Sequence, residues 1–386
     1  MMATLVVNAG SSNVKLSVVD NAGRRVAGAT FDRHGAHLDP ETLGRLVEGC
    51  GPIDAVGHRI VHGGTELRRP VLVDPTVIGQ LEALTAFAPL HQPAGLAGIR
   101  AAVAAFPNLP NVACFDTAFH ATMSAAAATY ALPAAWRDRF GLRRFGFHGL
   151  SHAWASRRAA GMLGRPVEEL RIVTCHLGAG ASLCAIGGGR SQDTTMGFTP
   201  MEGLVMATRS GSVDPGLVLW LIEHAQMSPA EVADGLEHHS GLAGLSETGG
   251  DVRDVIAAAE SGDPRSVLAL DVWAHRLCRE IGAMAAVLGG IDVLVFTGGI
   301  GEHAPSLRAR VASRLAFLGV AVDANGNAAA HADADITAPG ASCATLVVTA
   351  SEDLEIARQV ADLGLGKGRA VAATRPVLPD SPLPSQ

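Results

Sequence analysis

The sequence predicts a two-lobed α/β protein with a duplicated core. Three observations carry that expectation. The segment TLVVNAGSSNVKLSVVD, residues 4–20, reads as an apolar strand, a tight turn of small residues and a second strand alternating through Val14, Leu16 and Val18. The later segment RIVTCHLGAGASLCAIGGG, residues 171–189, repeats that grammar, and Gly10 and Gly178 superpose when the two are laid over one another. Each hairpin then opens a similar stretch of alternating strand-like and helix-like sequence, which points to an internal duplication.

The remaining elements follow in order. Apolar periodicity predicts helices over 75–87, 94–106 and 152–163, the last capped by Ser151. A long helix is expected over 264–288, then a strand over 293–297, a Gly-Gly turn and a helix from about Pro305. A strand over 344–349 precedes Ser351-Glu352-Asp353 and a final helix to about Leu363. The proline-rich stretch 371–386 is expected to be a disordered tail.

Composition excludes several functions. The 386 residues are 48% hydrophobic, enough for large buried cores, and length predicts two to three domains. A formal net charge of −7 argues against nucleic-acid binding, which needs a basic face. The six cysteines show no CxxC pair, and most lie in apolar runs, as expected of reduced thiols. The N-terminus lacks the basic and apolar regions of a signal peptide. The uncharged stretch 117–136 is too weakly apolar to span a bilayer, so a cytoplasmic protein with no membrane partner is expected.

Candidate chemistry centres on anion binding. There is no GxxxxGK[ST] loop, yet one of only two lysines, Lys15, lies five residues beyond Gly10 in a chain that otherwise uses arginine. Small residues at Gly10, Ser11 and Ser12 let backbone N–H groups approach an anion. Arg59 ends an apolar run in HRIVHGG, Asp116 follows one in CFDTAFH, His148 lies in FGFHGLSH, and Arg209 lies in the polar loop ATRSGSVDP. The i, i+4 pairs His58/His62 and His148/His152 raise a zinc site, but neither carries the HExxH glutamate.

Taken together, the ordered motifs NAGSSNVK, AVGHRIVHGG, APLHQP, FDTAFH, FGFHGLSH, CHLGAGAS, MGFTPMEGL, TRSGSVDP, VFTGGIGE and SEDLEIAR resemble the acetate kinase family from about Thr4 to Arg358. The resemblance implies the two-domain, duplicated α/β fold of actin-like ATPases, ribonuclease H-like in topology, with nucleotide in the interdomain cleft. Residues 1–120 plus 354–370 would form a discontinuous N-terminal domain, and 121–353 a second domain holding the nucleotide site and a homodimer interface. It implies reversible phosphoryl transfer between ATP and acetate, with Mg²⁺ (or Mn²⁺) near Asn8 and Glu352. Ser11, Ser12, Lys15, His176, Leu177, Gly178, Ala179 and Gly180 would face the ATP phosphates. Asp251, Val252 and Arg253, with Gly299, Ile300, Gly301, Glu302 and His303, would hold the adenosine. Arg59 would bind the acetate carboxylate, with Val61, Leu90, His91, Phe147 and Pro200 around it. His148 and Arg209 would stabilise the phosphoryl group, and Asp116 would be the essential acid.

Four positions depart from the family pattern: Asn13 for Ser, Ala179 for Asn, Val252 for an aromatic residue and His303 for Asn. The alternatives are a propionate or short-chain acyl kinase of the same family, and an actin-like nucleotide switch without transfer. Against the switch stand Arg59, His148 and Arg209, which nucleotide gating alone does not need.

Overall fold

A computed structural model describes residues 2–9, 13–32, 40–88 and 91–365. Its strands form two six-stranded mixed sheets. In the first, β1 (Thr4–Ala9), β2 (Asn13–Val19) and β3 (Arg25–Asp32) form an antiparallel meander. Then β4 (Ala55–Ile60) lies parallel to β1 and β6 (Asn111–Phe115) parallel to β4, while the short β5 (Val71–Leu72) closes the edge antiparallel to β6. The second sheet repeats this with β7 (Ile172–Leu177), β8 (Ala181–Gly187), β9 (Arg190–Thr194), β10 (Val293–Thr297), β11 (Ala334–Asp335) and β12 (Ala344–Val347). Its order β9-β8-β7-β10-β12-β11 matches β3-β2-β1-β4-β6-β5 strand for strand, including the late return of the edge strand. The duplication read from two hairpins therefore extends to both sheets.

Each sheet is covered on both faces, which is why its central strands are continuous apolar runs. Over the first, Ala101 and Ala102 of the helix Gln92–Ala105 pack on Leu5, Val7, Leu16 and Val56. On the opposite face the helix Glu352–Asp362 sets Ile356, Ala357 and Val360 against Val6, Ala55 and Val112. Gly57 permits this approach, because a Cβ there would lie 2.5 Å from the Ile356 methyl. The second sheet is sandwiched between Pro264–Leu288 and Gly149–Leu163. The latter also sends Leu150 into the first sheet's core and so ties the two sheets together.

Two expectations need correction. The helix over 149–163 begins three residues earlier than predicted, with His148 rather than Ser151 at its N-cap. Ser151 instead bonds His176 Nδ1 at 2.8 Å, because its hydroxyl faces β7 rather than the helix's free N–H groups. The strand predicted over 344–349 ends at Val347. The six cysteines are free thiols. Among the described residues, no helix is long and apolar enough to cross a membrane. The predicted tail 371–386 lies outside the described residues.

Candidate active site

The duplicated register brings the candidate residues to the same ends of the two sheets. In the first, Asn8 lies opposite both Lys15 on β2 and Arg59 on β4. Asp116 follows the end of β6, its backbone N–H bonded to Ile60 O at 3.0 Å. The Arg59 guanidinium meets the Asp116 carboxylate through Nε at 3.1 Å and Nη2 at 2.7 Å. Its Nη1 donates to Asn8 Oδ1 at 3.2 Å and lies 3.7 Å from Glu352. Asn8 in turn donates to Glu352 Oε2 at 2.7 Å. One cation thus holds two carboxylates and an amide in a buried cluster.

Burial and charge act on these groups in opposite directions. Burial pushes the Asp116 carboxyl up, to about 6, against the pull of Arg59. Burial also raises Glu352, but there Arg59, His176, the Asn8 amide and Lys15 together win and hold it below the usual carboxylate range. Arg59 itself is raised despite its burial, since two anions face it.

His148 occupies the left-handed region, φ 56° and ψ 22°, which few residues other than glycine adopt. Gly149 explains the constraint. Its N–H bonds Asp116 O at 2.9 Å, and a Cβ there would lie 2.1 Å from that oxygen. The helix start is pinned to the strand end carrying Asp116, and the His148 ring swings over the second hairpin. It stacks on His176, with centroids 4.3 Å apart. At the β7–β8 turn, a Cβ on Gly180 would touch Arg209 Nη2 at 3.4 Å and His148 Nε2 at 3.5 Å, so both converge on that turn. Arg209 is braced by a 2.6 Å bond to Pro200 O. Burial, His176, Arg59 and Arg209 all drive the His148 pKa down, so the imidazole is neutral and both arginines act on it.

Beside the same turn opens a pocket of about 440 Å³, lined by Gly178, Ala179, Ala207, Gly249–Arg253, Ile256, Gly299, Ile300, His303 and Ala304. Asp251 caps the helix Val252–Glu260 and pairs with Arg253. Gly301 and Glu302, grouped with this wall by sequence, are buried away from it. The Glu302 carboxylate accepts from Gly298 N and Ala350 N, both at 2.9 Å, bolting the start of the short helix Gly298–His303, which stands where a Gly-Gly turn was expected, to the loop before Glu352. Sequence reading missed Ala207, Gly249, Gly250, Ile256 and Ala304; the glycine pair ahead of Asp251 was the available signal.

Of the remaining expected residues, Val61 and Phe147 share one buried cluster. His91 is the N-cap of Gln92–Ala105, and Lys15 is exposed. Gly10, Ser11, Ser12 and Leu90 lie outside the described residues. No group of three His, Cys, Asp or Glu that could hold a metal occurs among the described residues. The i, i+4 histidine pairs serve hydrogen bonding instead, with His58 Nε2 on Asn111 Oδ1 and His148 and His152 both on Ser182.

The model of the acetokinase family matches residues 41–358. The chain belongs to that family. It is 46% identical to an acetate kinase of Leifsonia xyli subsp. xyli, over 93% of this chain and 98% of that one. An acetate kinase of Acetivibrio thermocellus is 41% identical over the same shares of each chain. The crystal structure of Porphyromonas gingivalis acetate kinase superposes with a TM-score of 0.86 at 34% identity, covering 94% of this chain and all of that one. A propionate kinase structure from Francisella tularensis superposes with a TM-score of 0.85, also at 34% identity, covering 93% and 99%. The acetokinase fold, with its two mixed sheets, is therefore the fold of this chain.

Proposed function

We propose that the protein is an ATP-dependent acetate kinase that transfers the γ-phosphoryl group in line to the acetate carboxylate, reversibly. One observation supports this above the others: the arginine–carboxylate cluster of Arg59 and the arginine–imidazole pair of Arg209 and His148 lie close enough that both arginines act on the His148 ring beside the β7–β8 turn. Acetate is ionised at neutral pH, since a carboxylic acid titrates near 4, so no strong general base is needed. The barrier lies in bringing two anions together while charge spreads over the phosphoryl oxygens.

The residues divide that task. Asp116 occupies the Nε/Nη2 edge of Arg59, so acetate would meet the Nη1/Nη2 edge, with its methyl against Val61, Leu90, Phe147 and Pro200 and His91 near by. Asp116 thereby orients Arg59 and takes no proton. A carboxylate oxygen forms the new bond to phosphorus as the bond to the ADP oxygen breaks. Arg209 and the His148 Nε2–H would bind the phosphoryl oxygens in passage. Ser11, Ser12, Lys15 and residues 176–180 would hold the phosphates, and the pocket beside Gly178 the adenosine.

Glu352 and Asn8 suit Mg²⁺. Glu352 stays ionised, and among the described residues only its Oε2 is hydrogen-bonded. One carboxylate is the protein share Mg²⁺ often takes when substrate phosphates and water complete its shell, and Asn8 would hold that carboxylate in place through its amide N–H. When bound, the ion would neutralise nucleotide oxygens.

Domains of residues 1–120 plus 354–370 and of 121–353, a cytoplasmic location and a homodimer belong to the same proposal. The helix Pro215–Glu223 supports the dimer, since none of its residues is buried and Leu217, Leu219 and Trp220 are about half exposed. Light scattering tests the dimer. Trapping acetyl phosphate with hydroxylamine, in ATP, Mg²⁺ and acetate, tests the activity. ATP binding without product would overturn it. The Francisella match favours propionate as the second acceptor to assay.

A further inference from the structure

Behind His148 runs a buried chain of alternating hydroxyls and imidazoles. His148 Nδ1 lies 2.9 Å from Ser182 Oγ, which lies 2.8 Å from His152 Nε2. His152 Nδ1 lies 2.7 Å from Thr174 Oγ1. Thr174, His152 and Ser182 are inaccessible to solvent. The fold dictates the arrangement. His148 and His152 are one helical turn apart, so both rings face the β7–β8 ladder, where Thr174 and Ser182 project.

We infer that Thr174, His152 and Ser182 form a one-way hydrogen-bond chain that fixes the tautomer of His148, so that a neutral imidazole presents Nε2–H to the transferring phosphoryl group. This rests on the phosphoryl-transfer reading above.

The direction follows from the end of the chain. A buried hydroxyl hydrogen without an acceptor carries a full desolvation penalty, whereas an unused oxygen lone pair costs less. His152 Nδ1 is the acceptor that Thr174 Oγ1–H meets among the described residues. Thr174 therefore donates to Nδ1, which puts the His152 proton on Nε2. That proton points at Ser182 Oγ, so the serine hydrogen must turn to His148 Nδ1. His148 is left with its proton on Nε2, the atom beside Gly180 and Arg209. The reverse direction strands the Thr174 hydrogen and aims an Nε2 lone pair at an anion. Burial keeps both imidazoles neutral, as a tautomeric chain requires.

Thr174, His152 and Ser182 are thus positioning residues, and the i, i+4 histidine spacing is explained without a metal. The test is nitrogen NMR on protein with ¹⁵N-labelled histidine, the His148 signals being assigned by their loss in His148→Gln. The expected result is a pyrrole-type Nε2 and a pyridine-type Nδ1 on His148, without substrate. Thr174→Val should mix the tautomers and lower kcat about tenfold, short of the 10²–10³ that follows outright loss of a transition-state donor. KM for acetate should hold, and Thr174→Ser should restore both signature and rate. A pyridine-type Nε2 in the unsubstituted protein overturns the inference, as does Thr174→Val with unchanged tautomer and kcat. The spectrum needs no turnover, so an inactive enzyme with the expected spectrum would sink the kinase reading and leave the chain standing.

Discussion

The two hairpin ends occupy equivalent places in matching sheets, yet their chemistry is opposite. Where the first sheet has Asn8 facing Arg59, the second has His176 facing Thr297. Where the first has Lys15 across the hairpin, the second has Ser182. The first end is an ionic cluster of Arg59, Asp116 and Glu352. The second is a seam of neutral imidazoles and hydroxyls beside an open, largely apolar pocket. Duplication supplied two equivalent strand registers, and on the function proposed above the residues at their ends divide the labour: the first would hold acceptor and metal, and the second, with Arg209 beside its imidazoles, would receive the phosphoryl group and the adenosine.

Acid should expose that division most strongly. Burial lowers His62 and His120 to about 4, and His148 and His152 well below their usual value. Their folded pKa values are depressed, so the unfolded chain takes up protons first, near pH 6.5. Stability present above pH 6.5 is therefore lost as pH falls toward 4, at roughly 1.4 kcal/mol per pH unit for each proton. Denaturant melts between pH 7 and 5 should show this loss. His120→Gln should remove one proton from the slope. Stability unchanged between pH 7 and 5 would mean that the buried imidazoles do not set the acid sensitivity; Asp116, raised to about 6, works the other way, because its folded form takes up the proton first.

Arg59→Ala attacks the ionic end. Removing one partner of a buried pair leaves Asp116 uncompensated, which costs about 3–5 kcal/mol of stability. Acetate KM should rise steeply at the same time. Combining it with Asp116→Asn should recover much of the stability and none of the acetate binding, a non-additivity that a double-mutant cycle measures. Full additivity would mean that the two side chains act independently.

Arg209→Ala attacks the second end, where its guanidinium converges with the His148 imidazole, and its signature should differ. Arg209 is held by a backbone carbonyl and, among the described residues, forms no ion pair with a carboxylate, so its loss should leave folding nearly intact. Turnover should fall about 10²–10³-fold with KM for acetate little changed. An equal rise in KM for both arginine variants would erase the proposed division.

How much of this was legible in the sequence follows the same boundary. The hairpins, the glycine turns and the arginine, imidazole and carboxylate at strand ends show in local pattern, because period-two alternation and small-residue turns are local. Thr174, Ser182 and His152 do not, since a serine on a strand and a histidine on a helix acquire meaning only where β7, β8 and the helix 149–163 meet. Glu302 misled for a related reason. Its neighbours Ile300 and His303 line the pocket, but helical rotation turns Glu302 inward onto Gly298 N and Ala350 N.

The smallest expected effect concerns the acceptor and sharpens what the ionic end recognises. In the proposed function Arg59 would read only a carboxylate, which acetate and propionate share. Discrimination must then come from the apolar wall, where Val61 is buried against the cluster containing Ala88 and Phe147. One methylene in such a wall is worth about 1–3 kcal/mol. Val61→Ala should therefore raise kcat/KM for propionate relative to acetate by about tenfold, while leaving KM for ATP alone, because the pocket proposed for the nucleotide lies at the other hairpin. A change in ATP KM would show that the two ends are not separable. An unchanged acceptor ratio would move the specificity wall elsewhere, with Pro200, fixed through its carbonyl to Arg209, the next side chain to vary.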